Sequence, residues 1–192
     1  SEKIDAVPNA VDPDVFYPEI ARRTRSILYV GRITAEKGID VLLKAMPLVL
    51  KDVPDATLLI VGPEKYGLER GGYREQLIQL IKTLKIEKHV AFAGTISMND
   101  LRKMYSQASV FCLPAVWREP FGLTLIEAMA CETPVIGTDV GGIPEIISES
   151  KGGLLVKPHS IEELAEAIIR ILSDANFARN LGKKGRKTVT DK

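Results

Sequence analysis

The chain has 192 residues, 45% of them hydrophobic and 27% charged, within the range of ordinary globular domains. A chain of this size buries roughly 70% of the surface its unfolded form exposes, enough for a core without disulfide or metal staples. Lys and Arg number 26 against 25 Asp and Glu, a net charge of +1, so the sequence lacks the basic footprint of a nucleic-acid binder.

The opening stretch, residues 1–25, carries Pro8, Pro13 and Pro18 and no sustained periodicity, which marks an extended linker rather than a core element. Its Asp12-Pro13-Asp14 is formally a DxD metal pattern, but acids flanking proline are common turn formers and it reads as a turn. From there short apolar runs alternate with amphipathic ones. The first strand is predicted at Ile27–Gly31, and helical spacing from Glu36 places Ile39, Leu42, Leu43, Met46 and Leu50 on one face. Pro47 falls inside that helix and is expected to break or kink it, since it removes a donor and crowds the preceding turn. A strand at Thr57–Gly62 is followed by the polar, glycine-bearing insert EKYGLERGG, Glu64–Gly72, expected to be a mobile loop.

Helical spacing resumes at Tyr73, Met98, Gly122 and Ile143, interleaved with strands at His89–Gly94, Ser109–Pro114, Pro134–Thr138 and Gly153–Val156. Ser160, with Glu163 three residues on, caps a helix at Ile161–Leu172, and a last helix runs from Asp174 to about Thr190. Cys112 and Cys131 lie in apolar company outside any CxxC, which points to a reducing, cytoplasmic setting without disulfide or zinc site. No run approaches 18 apolar residues and no signal pattern opens the chain, so it reads as soluble. Strict strand–helix alternation implies an α/β fold: a Rossmann-like, doubly wound parallel sheet of about six strands with helices on both faces. Ligands of such sheets bind beyond the carboxyl ends of the strands.

Two stretches carry chemistry at those ends. Gly31-Arg32 closes the first strand and Glu36-Lys37-Gly38 opens the next helix, so two cations flank a strand end and a helix N-terminus whose free amides favour an anion. On spacing alone the same pair also reads as surface charge. It is not a Walker loop, and the chain has no GxGxxG. In the second stretch, Arg118 to Glu127, Glu119 precedes a helix start at Gly122 and Glu127 lies about a turn and a half inside it. Gly122 lets a ligand approach the amides of Leu123 and Thr124, a second anion site, while carboxylates suit sugar diols. The alternative, glutamates complementing a helix dipole, explains Glu127 better than Glu119.

The segments GRITAEKG, EPFGLTLIEAMACETPVI and TDVGGIPEII together resemble the C-terminal domain of retaining glycosyltransferases of family four, the glycosyl transferases group 1. PNAVDPDVF resembles that family's interdomain linker. The resemblance implies a two-domain GT-B architecture whose C-terminal half binds a nucleotide-sugar donor. It makes residues 1–25 the linker and 26–192 the donor domain, with the N-terminal GT-B domain and the final crossover helix lacking a counterpart here. By matching positions, Arg32 and Lys37 hold the diphosphate with Gly122, Leu123 and Thr124. Glu127 grips the ribose, Glu119 contacts the hydroxyls of the transferred sugar at the catalytic centre without being assigned as nucleophile, and Thr95 and Ile96 lie by the base.

The implied activity is metal-independent, retaining, hexosyltransferase-like transfer from a nucleoside-diphosphate sugar to an acceptor hydroxyl, the nucleotide sugar being substrate and no cofactor being required. The implied partner is the chain's own N-terminal GT-B domain, and without it the isolated chain is expected to be inactive. Nucleic acid is not expected as a partner, and the basic stretch Lys183–Lys187 reads as a solvated helix end, leaving a peripheral membrane association of the full-length protein open. The rival readings are a sugar-nucleotide 2-epimerase and a non-catalytic nucleotide-sugar sensor. Trp117, beside the signature, is expected to pack, the alternative being that it caps the cleft, and His89 and His159 to be structural or solvated. Asp139 and Glu145 have open roles.

Overall fold

The computed structural model describes residues 11–18, 25–63 and 72–191. Six strands form one sheet: β1 (Ser26–Val30), β2 (Thr57–Val61), β3 (Val90–Gly94), β4 (Val110–Leu113), β5 (Val135–Thr138) and β6 (Gly153–Val156). Their order is β3-β2-β1-β4-β5-β6, and every pairing is parallel. The inner strands β4 and β5 are buried at every position, as continuous apolar runs covered on both faces must be, whereas the edge strands β3 and β6 are partly exposed. All six predicted strands are found, with ends shifted by no more than a residue.

The helices are α1 (Ile39–Asp52), α2 (Tyr73–Leu84), α3 (Met98–Gln107), α4 (Leu123–Ala130), α5 (Ile143–Ser150), α6 (Ile161–Ser173) and α7 (Ala175–Thr190). α1 packs against α2 and α6, while α4 packs against α3 and α7, and α5 against α7. This is the expected α/β doubly wound architecture. Ser160 Oγ accepts from the Glu163 amide at 3.3 Å, and Asp174 caps α7 through the amides of Asn176 and Phe177. Because β1 lies between β2 and β4, the loops leaving β1 and β4 diverge to opposite faces and open a crevice between them.

Three expectations are corrected. Pro47 does not break its helix: α1 continues through it, with Met46, Val49, Leu42 and Leu43 fully buried on either side. Burial of that face against the sheet and α6 outweighs the one hydrogen bond that proline forfeits. The helix after β1 starts at Ile39, not Glu36; Ala35–Lys37 form a separate 3₁₀ turn ended by Gly38 in the left-handed region. The opening stretch also contributes to the core. Phe16 is buried and meets the Tyr105 ring edge-on at 6.0 Å, and the Tyr17 carbonyl accepts from Ser106 Oγ. The rest of the predicted linker and most of the Glu64–Gly72 insert, with its expected mobility, lie outside the described residues.

Candidate functional site

A cleft of about 280 Å³ opens at the carboxyl ends of β1 and β4, lined among others by Arg32, Lys37, Glu119, Gly122, Leu123 and Thr124. The larger cavity, about 340 Å³, lies at the other end of the strands around Ser26, Thr57 and His89 and gathers no comparable chemistry. Two residue groups far apart in sequence meet in the cleft because the loops after β1 and β4 are stitched together. The Val116 amide donates to the Glu36 carbonyl at 3.0 Å. Gly38 lies so close to the Pro114 carbonyl that a Cβ there would sit 2.0 Å from its oxygen. Its φ of +67° adds a conformation that L side chains disfavour.

Lys37 rides on the 3₁₀ turn with its ammonium paired to the Glu119 carboxylate. The Glu119 main chain is pinned from behind, its carbonyl accepting from the Gly142 amide at 2.9 Å, so the segment with Gly141-Gly142 supports the acid. Arg32 is more exposed, its guanidinium 3.5 Å from Glu36, and its carbonyl accepts from the buried Tyr29 hydroxyl at 2.9 Å. Burial pushes the Tyr29 phenol far above its ordinary range, so this hydroxyl is a fixed donor.

The two helix ends differ. At α1 the Asp40 amide donates to the Tyr73 hydroxyl, which itself donates to the Asp40 carboxylate, so one amide of that N-terminus is partnered from within. The N-terminus of α4 faces the cleft. Gly122 precedes it with φ +95° and no side-chain cap, and Leu123 and Thr124, the first two helical residues, have no intrahelical acceptor for their amides. A Cβ at Gly122 would also press on Leu125 at 3.1 Å.

Glu127 does not line this cleft. One turn along α4, its carboxylate accepts a 2.8 Å hydrogen bond from the Tyr105 hydroxyl of α3. Tyr105 is completely buried, edge-on to Phe16 and Phe111, and its own carbonyl accepts from Thr133. Desolvation raises the Glu127 pKa above its ordinary value, and the Tyr105 hydrogen bond opposes that rise. Nothing in the spacing of the sequence singled out Tyr105. A tyrosine fully buried beside a carboxylate is a signal only once α3 and α4 are packed.

The sequence profile of the family described as glycosyl transferases group 1 matches residues 14–188. The chain belongs to that family. This group 1 glycosyl transferase domain spans about half the length of the curated relatives it matches. It is 31% identical over 204 residues to the GDP-mannose-dependent alpha-(1-6)-phosphatidylinositol monomannoside mannosyltransferase of Mycobacterium tuberculosis, covering 97% of this chain and 51% of the relative. The solved C-terminal domain of a glycosyl transferase group 1 family protein from Francisella tularensis superposes with a TM-score of 0.83 at 30% identity, covering 95% of this chain and 98% of that one. HepE of Anabaena, solved with UDP and glucose, shares the fold with a TM-score of 0.86 at 22% identity, over 95% of this chain and 51% of that one. The expected C-terminal GT-B half, the nucleotide-sugar donor-binding domain of the family, is therefore what the chain contains.

Other expected residues of this glycosyl transferase domain fall elsewhere. Thr95 and Ile96 follow β3, two strands away from β1, and do not line the cleft. Trp117 does not pack as expected: it is 71% exposed. Asp139 and Glu145 are exposed and off the cleft lining. His89 Nδ1 sits 3.0 Å from the Ala56 carbonyl, a structural contact, and His159 is exposed in a loop. The Asp14 amide donates to Asp12 Oδ1 at 2.8 Å, the turn expected of Asp-Pro-Asp. Cys112 and Cys131 are buried free thiols, Cys131 pushed up to about 11 by desolvation. Among the described residues no cluster of three His, Cys, Asp or Glu offers a metal site, and no helix is long and apolar enough to cross a membrane.

Proposed function

We propose that this domain binds a nucleoside-diphosphate sugar in the cleft at the ends of β1 and β4, and that with an N-terminal GT-B domain it transfers the sugar, with retention, to an acceptor hydroxyl. The observation that carries the reading is the convergence of Lys37, Glu119 and the open N-terminus of α4 on one cleft at the sheet's switch point. Arg32, Lys37 and the amides of Leu123 and Thr124 receive the diphosphate, and the same groups stabilise the charge that develops on it as it departs. Glu119 takes hydroxyls of the sugar. Glu127, oriented by Tyr105, accepts from the ribose hydroxyls farther along α4, which leads the base toward Thr95 and Ile96.

Transfer requires an acceptor held in line and water excluded, and both need a second wall to the cleft. The isolated chain is therefore expected to bind donor and transfer nothing. The test is calorimetry of the purified chain with UDP, GDP, ADP and their sugar conjugates, followed by incubation of the best donor with an acceptor panel. One nucleotide series should bind with Kd on the order of 10 µM to 1 mM, or ~4–7 kcal/mol. Turnover near the ordinary enzyme median of about 10 per second by this chain alone would refute the division of labour. Release of free nucleotide from the donor without an acceptor would point to epimerase chemistry instead.

A further inference from the structure

Two side chains assigned above to different parts of the donor are bonded to each other in the cleft. The Lys37 ammonium donates to the Glu119 carboxylate, and the side chains keep only 15% and 12% of their exposure. Both backbones are held independently of this bond. The Lys37 amide donates to Thr34 in its 3₁₀ turn, and the Glu119 carbonyl accepts from Gly142. The pair can therefore open by side-chain rotation alone, leaving the loops in place. Glu119 has no other cationic partner among the described residues, and the free amides of α4 face the same space. A diphosphate that reaches those amides and Lys37 brings a second, more highly charged anion onto one ammonium beside the carboxylate.

We propose that the Lys37–Glu119 pair is an exchange latch that makes Glu119 a discriminator between the sugar-bearing donor and the spent nucleotide. This rests on the donor-binding reading. The diphosphate displaces the Glu119 carboxylate from Lys37. With a sugar attached, the freed carboxylate finds hydroxyl donors and the exchange is balanced; with bare nucleoside diphosphate it finds only water and a nearby like charge. Glu119 thus opposes retention of the product as well as contacting the substrate. An acid that touched only sugar would be indifferent to bare diphosphate.

The test is a double-mutant cycle read by calorimetry, titrating UDP, GDP and ADP into the parent chain, Glu119→Gln, Lys37→Met and the double variant. Glu119→Gln should bind the preferred nucleoside diphosphate about tenfold more tightly than the parent, the scale of one charge-assisted hydrogen bond freed from competition. On the Lys37→Met background the gain should disappear. A gain that persists there is a general field effect and overturns the latch, as does unchanged or weaker binding by Glu119→Gln. If none of the three nucleotides binds any folded variant, the donor-binding reading fails and the latch with it. Should Glu119→Gln not fold, Glu119→Asp, one methylene short of the ammonium, carries the same expectation of tighter binding, and weaker binding overturns it equally.

Discussion

Replacing Tyr105 with Phe removes one hydroxyl from a ring that is otherwise completely buried between Phe16, Phe111 and α4. The ring contacts at 6.0 and 5.5 Å remain, so the loss is confined to the 2.8 Å hydrogen bond donated to Glu127. A hydrogen bond to a charged group contributes about 1.5–3 kcal/mol, but Glu127 is half-buried and its carboxylate regains some water, which brings the expected loss to about 1–2 kcal/mol. For a domain of this size that lowers the Tm by roughly 2–8 °C. The pH dependence separates this hydrogen bond from a simple packing defect. Burial already holds the Glu127 pKa above its ordinary value, and Tyr105 pulls it back, so the variant raises it further. A carboxyl whose folded pKa exceeds its unfolded one stabilises the fold below the unfolded pKa, and that stability is lost as pH rises through the folded value. The variant loses more, so the stability gap to the parent should be widest near neutrality and narrow in acid. Nucleotide binding, for which Glu127 is the proposed ribose acceptor, should begin to fail on the acid side at a higher pH than in the parent. Thermal unfolding and nucleoside-diphosphate titrations from about pH 5 to about pH 8 measure both. A gap independent of pH with an unmoved acid limb would refute the assignment of Tyr105 as the positioning residue for Glu127.

Gly38→Ala places a Cβ 2.0 Å from the Pro114 carbonyl oxygen at φ +67° and should cost roughly 3 kcal/mol or more by thermal unfolding; a loss below about 1 kcal/mol would mean the two loops are not stitched as described. The double variant Arg32→Gln, Lys37→Gln should lose affinity for a nucleoside diphosphate far more than for the matching nucleoside. The parent's diphosphate binding should weaken with salt, since screening acts over about 8 Å at physiological ionic strength; equal losses for both ligands would make these ordinary surface cations. Glu127→Ala should weaken the nucleoside diphosphate and its sugar conjugate alike, by ~1.5–3 kcal/mol in calorimetry, because the ribose is common to both; a loss confined to the sugar conjugate would exchange its role with that of Glu119.

Much of this was legible along the chain. Continuous apolar runs such as Val110–Leu113 are what central parallel strands require, and their alternation with helical spacing dictates the doubly wound sheet. Ser160 with Glu163, the Asp-Pro-Asp turn and Gly122 before α4 are local devices, set by neighbours within a few residues, and the structure contains each of them. The residues of the cleft were named from their motifs.

Tertiary structure decided the rest, because it depends on elements distant in sequence. Lys37 meets Glu119 across 82 residues only because β1 and β4 are adjacent and Gly38 lets their loops touch. The Asp40 amide at the α1 N-terminus is partnered by Tyr73, which belongs to the next helix. Tyr105 reaches Glu127 from another helix, Phe16 of the opening stretch joins the core, and Trp117 stays at the surface against its composition. Local sequence determines which backbone conformation and which buried face are favourable. Which side chain occupies a given donor, acceptor or charge is settled by whatever packing brings beside it.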